Sequence, residues 1–165
     1  MTAARTTAIV DGCARVIAGA IDGKVFAAGV TESVMSAQPE VVPLADDFTE
    51  VGLPAVTCAM GKWTTIQQPG NERLHLEILG VVWRPRVPLG ANVAALYADR
   101  DAIADAWLAH SKAYLSEASL QSAMLEGGAG VVPRSLGDIQ NPRRFLTLPF
   151  TVNVVCNRTV VPQPA

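Results

Sequence analysis

The amino-acid sequence predicts a single α+β domain, residues 1–165, in which one mainly antiparallel sheet is flanked by an N-terminal helix and a central helix pair. Three observations predict this class. Apolar residues recur at helical spacing in two long segments, they alternate with polar residues in three others, and a long irregular segment follows the first helix. The length fits one domain with a core of its own.

The first helix is predicted over about residues 2–21. Its apolar side chains share one stripe, and they are Ile9, Val10, Cys13, Val16, Ile17, Ala20 and Ile21. Gly23 follows as a natural stop, because glycine readily takes the left-handed conformation that ends many helices.

Residues 24–53 form the long irregular segment. Short apolar pieces, two of which fit short strands around Val25 and Val41, are separated by glycines, prolines and aspartates. A connection of this length is uncommon in a small domain unless it has a function or a binding partner. We therefore expect an extended arm or loop, and an arm that lies on a neighbouring subunit would suit this segment.

Three segments have the two-residue period of a strand. Residues 54–60 and 73–83 alternate and are joined by a turn at 67–71, and residues 146–157 show the clearest alternation in the chain. Near Trp83 both faces of the second strand are apolar, so we expect this end to be covered by a helix or by another subunit.

The central helix pair is predicted at residues 91–115 and at about 117–125. The first member has apolar and aromatic side chains spaced for one face, with Asn92 or Asp99 as a candidate cap. Glycines then lead into a loop that lasts until the final strand. The Pro-rich residues 160–165 are predicted to form a flexible tail.

Composition indicates an oligomer. Half of the residues are hydrophobic, 17% are charged and the mean hydropathy is +0.27, so much aliphatic surface must be hidden in a core or between subunits. A formal net charge of −2 does not indicate the basic surface that binds nucleic acid. No segment approaches the ~20 apolar residues of a membrane span, and the start lacks a secretion signal.

Residues that carry chemistry are few and scattered. The three cysteines, whose odd number and wide spacing argue against a disulfide framework and for a reducing compartment, are Cys13, Cys58 and Cys156. Neither His75 nor His110 has a second histidine at zinc-ligand spacing. We therefore predict no metal, no cofactor and no catalytic residue.

An alternative from another class is a small enzyme or ligand-binding domain. Its site would lie around Arg73, His75 and Glu77, which share one face of a predicted strand. A bound small molecule, or activity lost in a folded His75→Ala variant, would favour this alternative.

Candidate residues for contacts with other subunits or partners are two tryptophans and five arginines: Trp63, Trp83, Arg84, Arg86, Arg134, Arg143 and Arg144. Trp63 is the better tryptophan candidate because it lies at a strand end, whereas a single tryptophan on an apolar face more often packs in a core. The arginines lie at element ends, where they either face an acidic partner or DNA phosphates or simply keep loops soluble.

Several stretches, taken with the order of elements, resemble the tail terminator family of long-tailed bacteriophages, also called tail completion or head–tail joining proteins. They are Val16-Ile17-Ala18, Gly52-Leu53-Pro54-Ala55-Val56, and residues 74–82, 97–107 and 144–152. The resemblance spans most of the chain. Residues 24–53 and the Pro-rich end depart from the family pattern.

The resemblance implies a non-enzymatic virion protein, assembled in the host cytoplasm and located in the neck of the tail. Such subunits form a hexameric ring on the last tail-tube ring, stop tube growth and join the tail to the head connector or stopper protein. Genomic DNA passes through the lumen without sequence-specific binding. The family has no catalytic residues to transfer.

Another neck or tail protein, such as a head–tail connector, a stopper or a tail-tube subunit, would share the composition and the α+β pattern. A tube subunit should consist mainly of long strands that pair around a barrel, whereas long helical segments occupy the middle of this chain. The predicted central helices therefore favour the terminator.

Overall fold

The computed structural model describes residues 5–29, 42–43, 54–115, 120–128, 130–134 and 145–161. The elements are α1 (Arg5–Ala20), β1 (Lys24–Gly29), β2 (Val42–Pro43), β3 (Ala55–Gln68), β4 (Asn71–Pro85), α2 (Leu89–Leu115), β5 (Leu120–Glu126), β6 (Val132–Arg134) and β7 (Phe145–Thr159). The strand order is β2-β1-β3-β4-β7-β5, and β6 also pairs with β7. Only the β1–β3 pair is parallel among the described strands. The predicted α+β class with a mainly antiparallel sheet is confirmed.

The two helices cover one face of the sheet and pack against each other. Side chains of α1 (Ile9, Cys13, Ile17) and of α2 (Leu96, Ile103, Trp107) meet the alternate residues of β4 and β7 in one buried cluster. The indole N–H of Trp107 also donates to the carbonyl oxygen of Ala123 at 3.1 Å, which fixes α2 over β5. Neither helix has both the length and the hydropathy that a membrane-spanning helix requires.

The first helix ends close to the predicted position, but the residue that ends it differs. Asp22, not Gly23, takes the left-handed conformation, with a φ of 53°. The amide of Gly23 then donates to the carbonyl oxygen of Ala18 at 2.8 Å. Aspartate is one of the few residues besides glycine that visit this region, so it can end a helix in the same way.

The second member of the predicted helix pair is wrong. The described part of that segment is strand β5, which pairs with residues 151–156 of β7. Its sequence suits a helix, but an unpaired edge of β7 would leave a row of backbone amides and carbonyls without partners. Pairing with that edge buries Ala123 and Leu125 partly against the core, and this tertiary gain overrides local propensity.

The strand predicted at residues 54–60 continues to Gln68 and forms a long hairpin with β4. Gly70, with a φ of 84°, makes the tight turn. A bulge lies between Met60 and Trp63, and residues 62–68 beyond it are all exposed. Because neither face of this part is covered by the described chain, its sequence lacks an apolar face and its strand character was missed.

The irregular segment 24–53 is only partly described. Strands around Val25 and Val41 were predicted, and β1 and β2 confirm two short strands there. Since β1 pairs with β3 over Lys24 to Ala27, it belongs to the sheet and not to an arm. At the start of the predicted tail, the amide of Val160 donates to the carbonyl oxygen of Gly70 at 2.8 Å. Residues 30–41, 44–53 and 162–165 lie outside the described residues, so the arm and the rest of the flexible tail stay predictions.

Candidate subunit interface

The end of the β3–β4 hairpin exposes large apolar side chains on both faces. Trp63 is 56% exposed and lies opposite Leu76, on the helix-covered side of the sheet. Ile66 is 62% exposed and lies opposite Arg73, on the open side of the sheet that the helices do not cover. Exposed apolar side chains grouped at one strand end are typical of a surface that another molecule covers.

This end of β3 is also a sheet edge. β1 pairs with β3 only from Ala55 to Cys58, so among the described residues the part of β3 from 59 to 68 pairs with β4 alone. We call residues 59–68 the β3 edge. The backbone groups on its outer side can accept another strand.

A second edge is strand β5, which lies at one end of the strand order. In the part of the chain that the structure describes, β5 pairs with β7 on one side only. We call residues 120–126 the β5 edge. Met124 on this edge is 61% exposed on the open side of the sheet, and Glu126 beside it is exposed as well.

Arg84, a predicted partner contact, is instead engaged within the chain. Its Nε atom lies 2.5 Å from Oδ2 of Asp99 and its Nη2 atom 2.7 Å from Oδ1, so the pair is bidentate. The Asp99 side chain is only 6% exposed. The pair links the end of β4 to the interior of α2. Because α2 begins at Leu89, neither Asn92 nor Asp99 caps it, and both predicted caps are wrong.

Trp83 is fully buried within the chain, as expected for a core residue and not for an interface anchor. Its indole N–H donates to the hydroxyl oxygen of Thr57 at 2.8 Å. Its ring and the ring of Phe145 are nearly perpendicular, with their centroids 5.9 Å apart. These contacts lie on the side of the sheet that the helices do not cover. Near the start of β3 this side is buried all the same, and Ala55 and Val81 are buried there too.

The remaining arginine candidates are not brought together by the described residues. Arg86 is exposed in the turn between β4 and α2. Arg134 ends β6, and its side chain is not among those described. Arg143 and Arg144 lie outside the described residues, so their roles stay predictions.

Arg73, His75 and Glu77 do share the open side of β4, as predicted for the alternative site. A shallow groove of about 310 Å³ crosses the sheet there, with Lys62, His75, Glu77 and Glu126 on its walls. His75 is exposed. Among the described residues, no group of three or more His, Cys, Asp or Glu side chains could hold a metal ion.

The thiols should be unreactive in the folded protein. All three cysteines are buried, and burial raises the pKa of Cys13 to about 12. Burial, followed by the nearby Cys13 and Asp11, also raises the pKa of Cys58. We expect no reaction with a thiol reagent at pH 8 in buffer and three reacting thiols per chain in denaturant. One fast-reacting thiol in buffer would contradict this burial.

The same shift sets a pH dependence of stability. The unfolded Cys13 thiol ionises near its ordinary pKa of 9.0, whereas the folded thiol stays protonated to about 12. The stabilisation is therefore complete below pH 9 and is lost as the pH rises from 9 toward 12. Urea unfolding of wild type and Cys13→Ala at about pH 8 and pH 10 measures it, since the wild type should lose more stability between the two pH values.

The sequence marks Trp63 as a candidate contact residue, but not Ile66 or Met124. Both lie in segments without a clear apolar alternation. Ile66 at least stands alone between polar neighbours, whereas Met124 lies between Ala123 and Leu125 and has no such signal. No family model and no curated protein matches this sequence.

Proposed function

We propose that this protein is a structural subunit of a closed homo-oligomeric ring, and that the ring caps the tail tube of a long-tailed phage. The ring ends tube polymerisation and joins the tail to the head connector or stopper. The observation that supports it most is the presence of two different sheet edges, both with exposed apolar side chains: the part of β3 beyond its pairing with β1, and β5.

Two different patches are what a ring requires. A twofold dimer joins one patch to itself, whereas a ring joins one patch to a different one in a head-to-tail manner. The β3 edge carries Trp63 and Ile66, one on each face, and the β5 edge carries Met124. The low share of charged residues and the positive mean hydropathy fit a subunit whose edges are covered in its assembled state.

The assignment to a phage tail is supported by the resemblance to tail terminators. A lumen that lets DNA pass should not bind phosphates tightly, and a net charge of −2 fits that need. In this function the protein is located in the virion neck, contacts the tail-tube protein and the connector, and uses no cofactor.

The test of this function is tube growth. Tail-tube protein of the same virus would be polymerised with increasing amounts of this protein, and tube lengths measured by negative-stain imaging. We expect shorter tubes that end in a cap, at amounts well below one copy per tube subunit. Tubes of unchanged length at equal amounts would contradict the terminator function.

A matched pair of variants makes this assay specific. Trp63→Glu places a charge on the exposed hairpin end and should abolish the shortening. Thr7→Glu places the same charge on the exposed outer side of α1 and should leave it unchanged.

The alternative function is a small-molecule site in the groove beside His75 and Glu77. Calorimetry with small carboxylates, amines and sugar phosphates, on wild type and on His75→Ala, would test it. Binding that the wild type shows and a folded His75→Ala variant lacks would favour the alternative over the ring.

A further inference from the structure

A cavity of about 290 Å³ opens between α2 and the end of β5. Its walls are mainly apolar, and they are formed by Ile103 and Ala104 of α2, Leu125 of β5, and Leu148, Pro149 and Phe150 of β7. We call it the α2–β5 cavity. It adjoins the β5 edge, because Leu125 and Glu126 of that edge line it. A dry apolar cavity of about 150 Å³ binds benzene, so a cavity of this size has room for an indole ring.

Three glycines also line the cavity, and the fold needs only one of them. A Cβ atom on Gly128 would lie 2.7 Å from the carbonyl oxygen of Pro149, so glycine is required there. A Cβ atom on Gly127 or Gly130 would meet no atom within 4 Å, and neither residue takes the left-handed conformation. Their missing side chains leave this wall open, as expected where another molecule approaches the backbone closely.

Two large apolar side chains project from the β3 edge on one side of the sheet. Met60 and Trp63 lie opposite Ile78 and Leu76, which both face the helices. They are 47% and 56% exposed, so the helices of the same chain leave them uncovered. Both lie beyond Cys58, the last residue of β3 that pairs with β1. Another subunit can therefore contact them without displacing β1.

Trp63 and the cavity are two different patches of one subunit. The cavity walls belong to α2, β5 and β7, whereas Trp63 lies on β3, which β4 separates from β7. Strand β3 is two strand spacings from β7 and three from β5, which are about 10 and 14 Å. Trp63 therefore does not fill the cavity of its own chain. Contact between these patches in neighbouring copies is head-to-tail, as a ring requires.

The charges beside the two patches are complementary. Lys62, next to Trp63, is exposed and has no ion-pair partner among the described residues. Glu126 lines the cavity, is exposed, and is likewise unpaired in the part of the chain that the structure describes. Arg100, a cation on the cavity wall, already pairs with Asp101 at 3.1 Å. Lys62 of one copy would therefore meet a net negative charge at the cavity of the next.

We propose that Trp63 of one subunit inserts into the α2–β5 cavity of the next copy, with Met60 beside it, and that this contact closes the ring. This inference rests on the proposed ring and names the surfaces that form it. An aromatic side chain that fills a pocket is the usual energetic centre of a protein interface. Lys62 then lies near Glu126 at the rim, where the opposite charges favour the correct partner face.

Two variants with different defects test the contact. Trp63→Ala removes the inserted ring, and Ala104→Phe fills the cavity. Each alone should remain monomeric in light scattering, because each junction is weakened at least about thirtyfold. An equimolar mixture at high concentration should give a dimer of twice the 17.4 kDa chain and nothing larger, since one intact tryptophan meets one intact cavity. Rings formed by either variant alone, or a mixture without dimers, would overturn the proposal.

Matched variants make this test specific. Ala94→Phe places the same ring on the exposed side of α2, about 15 Å along the helix from Ala104 and outside the cavity, and should form the wild-type ring. Gly127→Leu blocks the cavity from the loop and should behave like Ala104→Phe. Urea unfolding of each variant shows that it is folded. Loss of the ring in Ala94→Phe and in Ala104→Phe alike would contradict a role of the cavity.

Tryptophan emission reports the insertion without any change at the cavity. Trp83 and Trp107 are 0% and 5% exposed, so Trp63 is the exposed one of the three tryptophans. As the wild-type ring assembles with rising concentration, the emission should shift to shorter wavelength, because the indole of Trp63 leaves water. Trp63→Phe should not show this shift. A ring that forms without the shift would overturn the insertion.

A failure of this contact can be told apart from a failure of the proposed function. A ring that persists in Ala104→Phe and Gly127→Leu overturns the inserted tryptophan and leaves the ring intact. A wild-type monomer at every concentration overturns both. A ring that passes these tests but does not shorten tail tubes supports the contact and contradicts the terminator function.

Discussion

Gly80→Ala is expected to lower the free energy of unfolding by about 3 kcal/mol, because the core has no room for one more methyl group. A Cβ atom at this position would lie 2.0 Å from Cζ of Phe150 and 2.2 Å from its Cε2. Phe150 lies directly opposite Gly80 in the β4–β7 ladder and is only 7% exposed. Its ring fills the space above the glycine, so the ring must leave its packed position before a methyl group fits. Urea unfolding measures the loss.

Two further variants make this prediction specific. Gly19→Ala, near the end of α1, adds the same methyl where no atom lies within 4 Å, and should leave stability unchanged or raise it. Phe150→Leu should destabilise the wild type but cost less, or even recover stability, in the Gly80→Ala background. Wild-type stability of Gly80→Ala alone would show that the Phe150 ring does not fill the space above Gly80.

Loss of the buried ion pair should have the second large effect. Arg84→Ala leaves the carboxylate of Asp99 buried without its bidentate partner, and we expect a loss of about 3 kcal/mol. Arg84→Lys should restore only part of it, since an ammonium group cannot form both parallel bonds. Replacing both partners by apolar residues, as in Arg84→Met/Asp99→Leu, should cost less than Arg84→Ala.

The chain offers a matched control for this pair. Arg100 and Asp101 also form an ion pair, at 3.1 Å, but their side chains are 69% and 74% exposed. Arg100→Ala should change stability by less than about 0.5 kcal/mol, because solvent screens exposed pairs. Equal effects of Arg84→Ala and Arg100→Ala in urea unfolding would mean that the first pair is not buried in solution.

The parts of the fold that the sequence predicted are those whose pattern reflects a single covered face. Strand β7 shows this, since Val152 and Val154 face the helices while Thr151 and Asn153 face away. Strand β5 was missed because its helix-forming residues carry no such signal, and only the edge of β7 makes it a strand. Long-range pairing of this kind is not encoded in a local window.

The candidate interface was predictable only in part, for a related reason. Trp63 stands out in the sequence as an aromatic residue at a strand end, but its neighbours 64–68 show no apolar face because the described chain covers neither side. Arg84 looked like a surface cation because its partner Asp99 is 15 residues away along the chain. A buried pair between a strand end and a helix interior becomes visible only once the two elements are packed.

The mass of the purified protein in solution tests the central claim most directly. Light scattering at several concentrations, with negative-stain imaging of the same samples, should give a closed ring of about six times the 17.4 kDa chain, six being the number that the family resemblance implies. A strictly monomeric species of 17.4 kDa at every concentration, with no ring in the images, would contradict a self-closing ring.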